Sequence, residues 1–211
     1  TANGIEVFTS DVPASGTIES RAARLADCIA EAAAGRSVNI VAHSMGGLDC
    51  RYLISRLERR ADVRVLSLTT VATPHHGSTF ADYLFDEIGD ARLPTVYKLV
   101  EGVGLETGAF AQLTQRYMRD EFNPNVPDDP DVRYFSYGAM VDHLPFLSPF
   151  RHSQKTIRHR EGPNDGLVSV ASSRWGEYKG TLLGVNHLDL INWTNRVRWT
   201  MRRIFAGKKP K

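Results

Sequence analysis

Residues 38–49, VNIVAHSMGGLD, constrain the fold of this chain more than any other stretch. Val38, Ile40 and Val41 are β-branched and apolar, as a strand covered on both faces requires. Small residues then surround Ser44, and Leu48, Tyr52 and Leu53 open a helical spacing. The chain must pass from strand to helix within two residues, with a serine at the join. Ala42-x-Ser44-x-Gly46 keeps a G-x-S-x-G spacing, with alanine for the first glycine. That spacing marks a strained turn that lifts a serine hydroxyl above a sheet at the start of a helix. Gly46 is expected to let strand and helix approach closely. Every other functional residue then has to converge on Ser44.

The surrounding pattern predicts how the turn is embedded. Ile5 to Thr9 reads as a strand, Ser10 to Ser20 as a loop, and Ile18 to Ala34 as a helix ended by Gly35. The serine strand comes next, then a helix to about Arg60, then a strand over Arg64 to Thr73. Alternation of this kind argues an α/β fold, a mostly parallel sheet with helices on both faces. Active sites of such sheets lie beyond the C-terminal ends of the strands, where Ser44 falls. Residues 75–130 carry no clear strand, and place Phe80, Tyr83, Leu84 and Ile88, then Phe110, Leu113, Tyr117 and Met118, at helical spacing. So long an insertion predicts a helical lid over the serine, or helices that simply pack on the sheet. Asn123 to Asp131 reads as a loop. Core strands resume at Val132 to Gly138 and Tyr178 to Val185, with a short one at Thr156 to His159, and an amphipathic helix closes the chain from Leu190.

One domain spanning all 211 residues accommodates this plan, with the insertion inside it. A net charge of +2 gives no field for holding nucleic acid, and no apolar run reaches the eighteen residues a membrane span needs. Cys28 and Cys50 fall in predicted helices and read as buried free thiols.

A serine hydroxyl needs a base to remove its proton, and the base needs a third group to orient it. On folds with this turn the three run serine, acid, histidine along the chain. Asp165, in the turn of GPNDGLVSV, and His187, after the last predicted strand, satisfy that order. Ser44 would attack an acyl carbonyl, His187 would shuttle the proton, and Asp165 would hold the imidazole tautomer. Taken singly, His187 is an ordinary loop histidine and Asp165 a turn aspartate; the elbow gives them their meaning. The Met45 N–H is the expected first oxyanion donor, and His43 is expected to support the turn. His75 and His76, after a strand end, are expected to wall the substrate site or anchor the lid. A second oxyanion donor normally comes from an HG-type loop after an earlier strand. None stands ahead of Ile5, so either an N-terminal strand and its loop are missing from this sequence, which is the favoured expectation, or the second donor is an unusual one.

Four stretches in order, VNIVAHSMGGLDCRYL, TTVATPHHGSTFAD, NDGLVSVASSRWG and GVNHLDLINW, resemble the triacylglycerol lipases of the α/β-hydrolase superfamily. The likeness is closest to the fungal intracellular lipases and clear to the bacterial true lipases. It implies an α/β-hydrolase fold, Ser44, Asp165 and His187 as the triad, long-chain acyl esters as substrates met at a lipid–water interface, and an intracellular address. No cofactor is required by that chemistry. Bacterial relatives bind a structural calcium whose aspartate ligands match Asp189 and, approximately, Asp142; hence the resemblance implies a possible calcium site, with helix capping as the alternative for Asp189. Other functional readings of the same residues are a carboxylesterase or thioesterase of other acyl substrates, and a non-catalytic lipid-binding relative.

Overall fold

Among the described residues four strands form one parallel sheet in the order β1-β2-β3-β4: β1 Ser37–His43, β2 Arg64–Val71, β3 Arg133–Met140 and β4 Glu177–Leu183. In this computed structural model, residues 4–10, 12–13, 16–57, 62–86, 110–144, 148 and 150–192 are described. The register sets His43 beside Val71 and Val71 beside Tyr137. The C-terminal ends of the first three strands therefore lie level, and the segments that leave them share one rim.

Helix α1, Ile18–Ala33, starts at Thr17, whose hydroxyl accepts the Ser20 N–H, and stops before Gly35 at φ 71°. Those are the signals of an N-cap and of a left-handed terminating residue. Its Ala22, Leu25 and Ala26 pack with Cys50, Leu53 and Ile54 of α2 over Val65 and Leu68 of β2. Helix α2 covers Gly46–Tyr52 and continues as a π-helical turn over Leu53–Leu57. Neither cysteine is in a disulfide; Cys50 is buried as expected, and burial pushes its thiol up, whereas Cys28 is only half-buried. Val38, Ile40 and Ala42 of β1 turn toward these helices. The alternate residue Val41 turns away and is 75% exposed, so the cover of that second face is incomplete among the described residues.

A second apolar cluster lies beyond the strand ends. Met45 and Leu48 of the elbow meet Phe80, Ala81 and Leu84 of α3 (Thr79–Asp86) and Met118 and Phe122 of α4. Helix α4 runs through Gln115–Tyr117, Met118–Phe122 and Asn123–Asn125. Ile157 of α5 (Arg151–Arg160) completes the cluster. The described parts of the 75–130 insertion thus pack into the core beside the elbow. Residues 87–109, where most of the expected lid falls, and the closing helix beyond Asn192 lie outside the described residues.

Two expected strands are corrected. Thr156 to His159 belongs to α5, because Ile157 is its one deep apolar anchor and Ser153 and Gln154 share that buried face at helical spacing. Ile5 to Thr9 forms no ladder; Ile5, Val7 and Phe8 are exposed, and an Arg36–Glu6 ion pair with Arg36 over the Phe8 ring holds the segment. An apolar run is a strand only with a neighbour to pair with. Asn123–Asn125, read as loop, is the last turn of α4.

Candidate active site

Ser44 sits between β1 and α2 at φ 56°, a left-handed conformation that costs a non-glycine residue about 1–2 kcal/mol. Its N–H still donates to the Val71 carbonyl at 3.0 Å, and its own carbonyl accepts the Gly47 N–H at 3.0 Å. The residue thus belongs to both sheet and helix. Crowding falls one residue later than expected. A Cβ on Gly46 would meet only Ala42, at 4.0 Å, whereas one on Gly47 would overlap Thr73 Oγ1 and lie 2.7 Å from Thr73 Cγ2. Gly47 is the position that lets the helix lean on the residues after β2.

The fold brings Ser44, His187 and Asp165 into one hydrogen-bonded line. Ser44 Oγ lies 2.8 Å from His187 Nε2, and His187 Nδ1 lies 2.7 Å from Asp165 Oδ2. His187 and Asp165 are buried, and the His187 N–H donates to the Asp165 carbonyl at 3.0 Å. Asp165 Oδ1 accepts the N–H groups of Leu167 at 3.0 Å and Val168 at 2.8 Å. Those bonds hold the carboxylate so that its other oxygen faces the imidazole. With Nδ1 donating to a carboxylate, Nε2 is left as the acceptor for a serine proton.

The Asp165 turn is itself built from polar side chains. Asn164 accepts the Gly166 N–H at 2.9 Å and donates to the carbonyls of Gln154 and Gly162 at 3.2 and 3.0 Å. Glu161 accepts the Thr79 N–H at 2.9 Å, the Thr79 hydroxyl and the Ser169 hydroxyl. Gly166, at φ 107°, sits against Leu144 and Phe150, where a Cβ would approach both to 3.2 Å.

His43 packs its ring 4.5 Å from that of His187. Burial, then the neighbouring His187, pulls its pKa down to about 4, so the ring is neutral near neutrality. His75 does not reach Ser44. It is wholly buried, with Nε2 3.0 Å from the Thr70 hydroxyl and its ring stacked on Trp175 at 5.3 Å. It has no surface for a substrate, and burial holds its pKa well below the usual histidine range. His76 is exposed, with Nε2 3.2 Å from the Arg174 carbonyl and its ring 5.7 Å from Trp175. Both anchor the turn after β2 to the Trp175 loop rather than facing the serine. Trp175 also lies under the buried Arg51 guanidinium at 3.6 Å and donates to Asp128 at 3.0 Å, a link that ties α2 to this loop.

Asp142 and Asp189 each meet a donor of the chain itself. Asp142 pairs with Arg158 at 3.5 Å, and Asp189 accepts the Asn186 N–H at 3.2 Å within its own turn. Among the described residues no three His, Cys, Asp or Glu side chains gather as a metal site.

Sequence reasoning missed Thr73, Glu161 and Arg51. Each works through a partner between 29 and 82 residues away, and local pattern carries no such signal.

The fold has counterparts among solved structures. The fold is similar to the mature Bacillus licheniformis lipase BlEst2, with a TM-score of 0.65 and 24% identity over 88% of this chain and 73% of that one. It is similar too to Staphylococcus hyicus lipase, with a TM-score of 0.65 and 17% identity over 98% of this chain and 87% of that one. The chain has an α/β-hydrolase fold. The family profile described as "Putative serine esterase (DUF676)" matches residues 13–96 of this chain, which include the elbow. It is 40% identical over 216 residues to triacylglycerol lipase 2 of Saccharomyces cerevisiae, covering 97% of this chain and 63% of that protein. Against a triacylglycerol lipase of Pseudarthrobacter phenanthrenivorans it is 28% identical over 186 residues, covering 88% of this chain and 50% of that protein. The chain thus spans between 50% and 63% of the length of these two curated relatives.

Proposed function

We propose that this chain is the catalytic part of a serine esterase that hydrolyses acylglycerol esters, working as a lipase at a lipid–water interface. Support comes foremost from the Ser44–His187–Asp165 line, with contacts of 2.8 and 2.7 Å and the serine in a left-handed turn. The names of its sequence relatives point to the same substrate class. Ser44 Oγ attacks the ester carbonyl carbon as its proton passes to His187 Nε2. The tetrahedral intermediate collapses, the glycerol oxygen leaves with that proton, and Ser44 is acylated. Water then gives its proton to His187 and attacks the acyl carbon, releasing the fatty acid and restoring the serine. Asp165 stabilises the imidazolium in both halves, and the Met45 N–H meets the oxyanion at the helix start.

Hydrolysis of p-nitrophenyl esters from C2 to C16 by the full-length protein, with fluorophosphonate labelling, tests this. Turnover that favours the longer chains, and label on Ser44 that Ser44→Ala abolishes, is expected. Turnover confined to C2–C4 would leave a short-chain carboxylesterase. No turnover and no label would leave a lipid-binding protein without chemistry.

A further inference from the structure

We propose that Thr73 is a positioning residue for the oxyanion-stabilising amide of Met45, acting through the carbonyl of Ser44. The inference rests on the acyl-transfer reading of Ser44. Thr73 is wholly buried, two residues past the end of β2, and its hydroxyl donates to the Ser44 carbonyl oxygen at 2.7 Å. That oxygen already accepts the Gly47 N–H at 3.0 Å, the bond expected at the start of a helix. The threonine bond is additional to the backbone's own requirement. The Ser44 carbonyl and the Met45 N–H belong to one planar peptide unit and point in opposite directions from it. Two bonds on the oxygen fix the rotation of that plane, and so the direction of the N–H. They also draw electron density toward the oxygen, which polarises the N–H and strengthens it as a donor to a developing negative charge.

The left-handed serine gives the peptide a reason to relax, and the hydroxyl opposes that relaxation. Gly47 is fitted to the same arrangement, since any Cβ there would occupy the space of the Thr73 side chain. The bare second glycine of HSMGG and the first residue of TPHHGS thus form one device, although 25 residues of chain lie between them.

The test compares Thr73→Ser with Thr73→Ala in the full-length protein. Both lose the γ-methyl and differ only in the hydroxyl. Four quantities are read for each: kcat and KM on a soluble short-chain ester, the Ki of a trifluoromethyl ketone that forms a tetrahedral adduct, and Tm. The expected result is a serine variant within about threefold of wild type, and an alanine variant about tenfold below it in kcat at unchanged KM, less than complete removal of an oxyanion donor produces. The Ki should weaken by the same factor as kcat/KM. Equal kcat and Ki in the two variants, or a loss confined to KM, would overturn the proposal. So would an alanine variant that unfolds where the serine variant stands, since the hydroxyl would then be a folding requirement. An inactive, unlabelled wild type would instead remove the esterase reading itself.

Discussion

Asp165 divides its two carboxylate oxygens between structure and chemistry. Oδ1 is held by the N–H groups of Leu167 and Val168, and Oδ2 faces His187 Nδ1. Asp165→Asn keeps an oxygen for the two backbone donors, so the turn should persist. The amide, however, offers the imidazole either the wrong partner or a neutral one, and it stabilises no imidazolium. A fall in kcat of roughly 10³–10⁴-fold is expected, with near-UV circular dichroism unchanged. Wild-type kcat in the variant would refute the role. Motif order chose Ser44, Asp165 and His187, and the fold sets them in contact. Ser44 and His187 were legible because each follows a strand and strand ends share a rim, whereas Asp165, which follows α5, was legible from motif order alone. Residues that orient them were not. Thr73 stands before a proline with no local pattern to mark a hydroxyl aimed at Ser44, and adjacency in the sequence gave His75 a place in the site that burial beneath Trp175 denies it.

At the scale of elements, Glu161 joins three pieces that share no sequence neighbourhood. It ends α5, takes the first N–H of α3, and holds Ser169 in the loop that carries Asp165. A carboxylate at a helix start also meets the positive end of the helix dipole. Glu161→Gln keeps the shape and removes the charge, and its amide nitrogen cannot accept from Thr79 or Ser169. Denaturant unfolding should show a loss of about 1–3 kcal/mol, as for a hydrogen bond to a charged group. Equal midpoints and slopes would show the bonds to be dispensable. The strands were readable because apolar β-branched runs bounded by turns have few other uses: β1, β2, β3 and β4 all fall within three residues of their expected bounds. Helix α5 was not, since one isoleucine among basic and polar residues carries no clear period, and its anchoring is tertiary, through Ser153 on Gly166 and Gln154 on Val141.

The whole molecule carries an acid sensitivity that arises from how the site is packed. His43 has a folded pKa of about 4 against an ordinary 6.5, through burial first and the adjacent His187 second, with Asp165 acting the other way. The folded chain therefore binds this proton less readily than the unfolded one. The stabilising contribution is complete above pH 6.5 and is lost as pH falls toward 4, reaching about 2 kcal/mol by pH 5. His75, held below its ordinary range by burial and then by Arg51, has the same sign. Asp49 has the opposite one. Burial raises it to about 6 despite Arg21, so its contribution grows as pH falls through 6. The wild-type slope mixes these groups, and a variant separates them. His43→Gln stays neutral at every pH, so between pH 7.5 and pH 5 it should lose about 2 kcal/mol less unfolding free energy than wild type. Urea unfolding at the two values measures the difference. Parallel losses would mean that His43 titrates alike in both states, and that the ring beside the proposed base is open to protons from solvent.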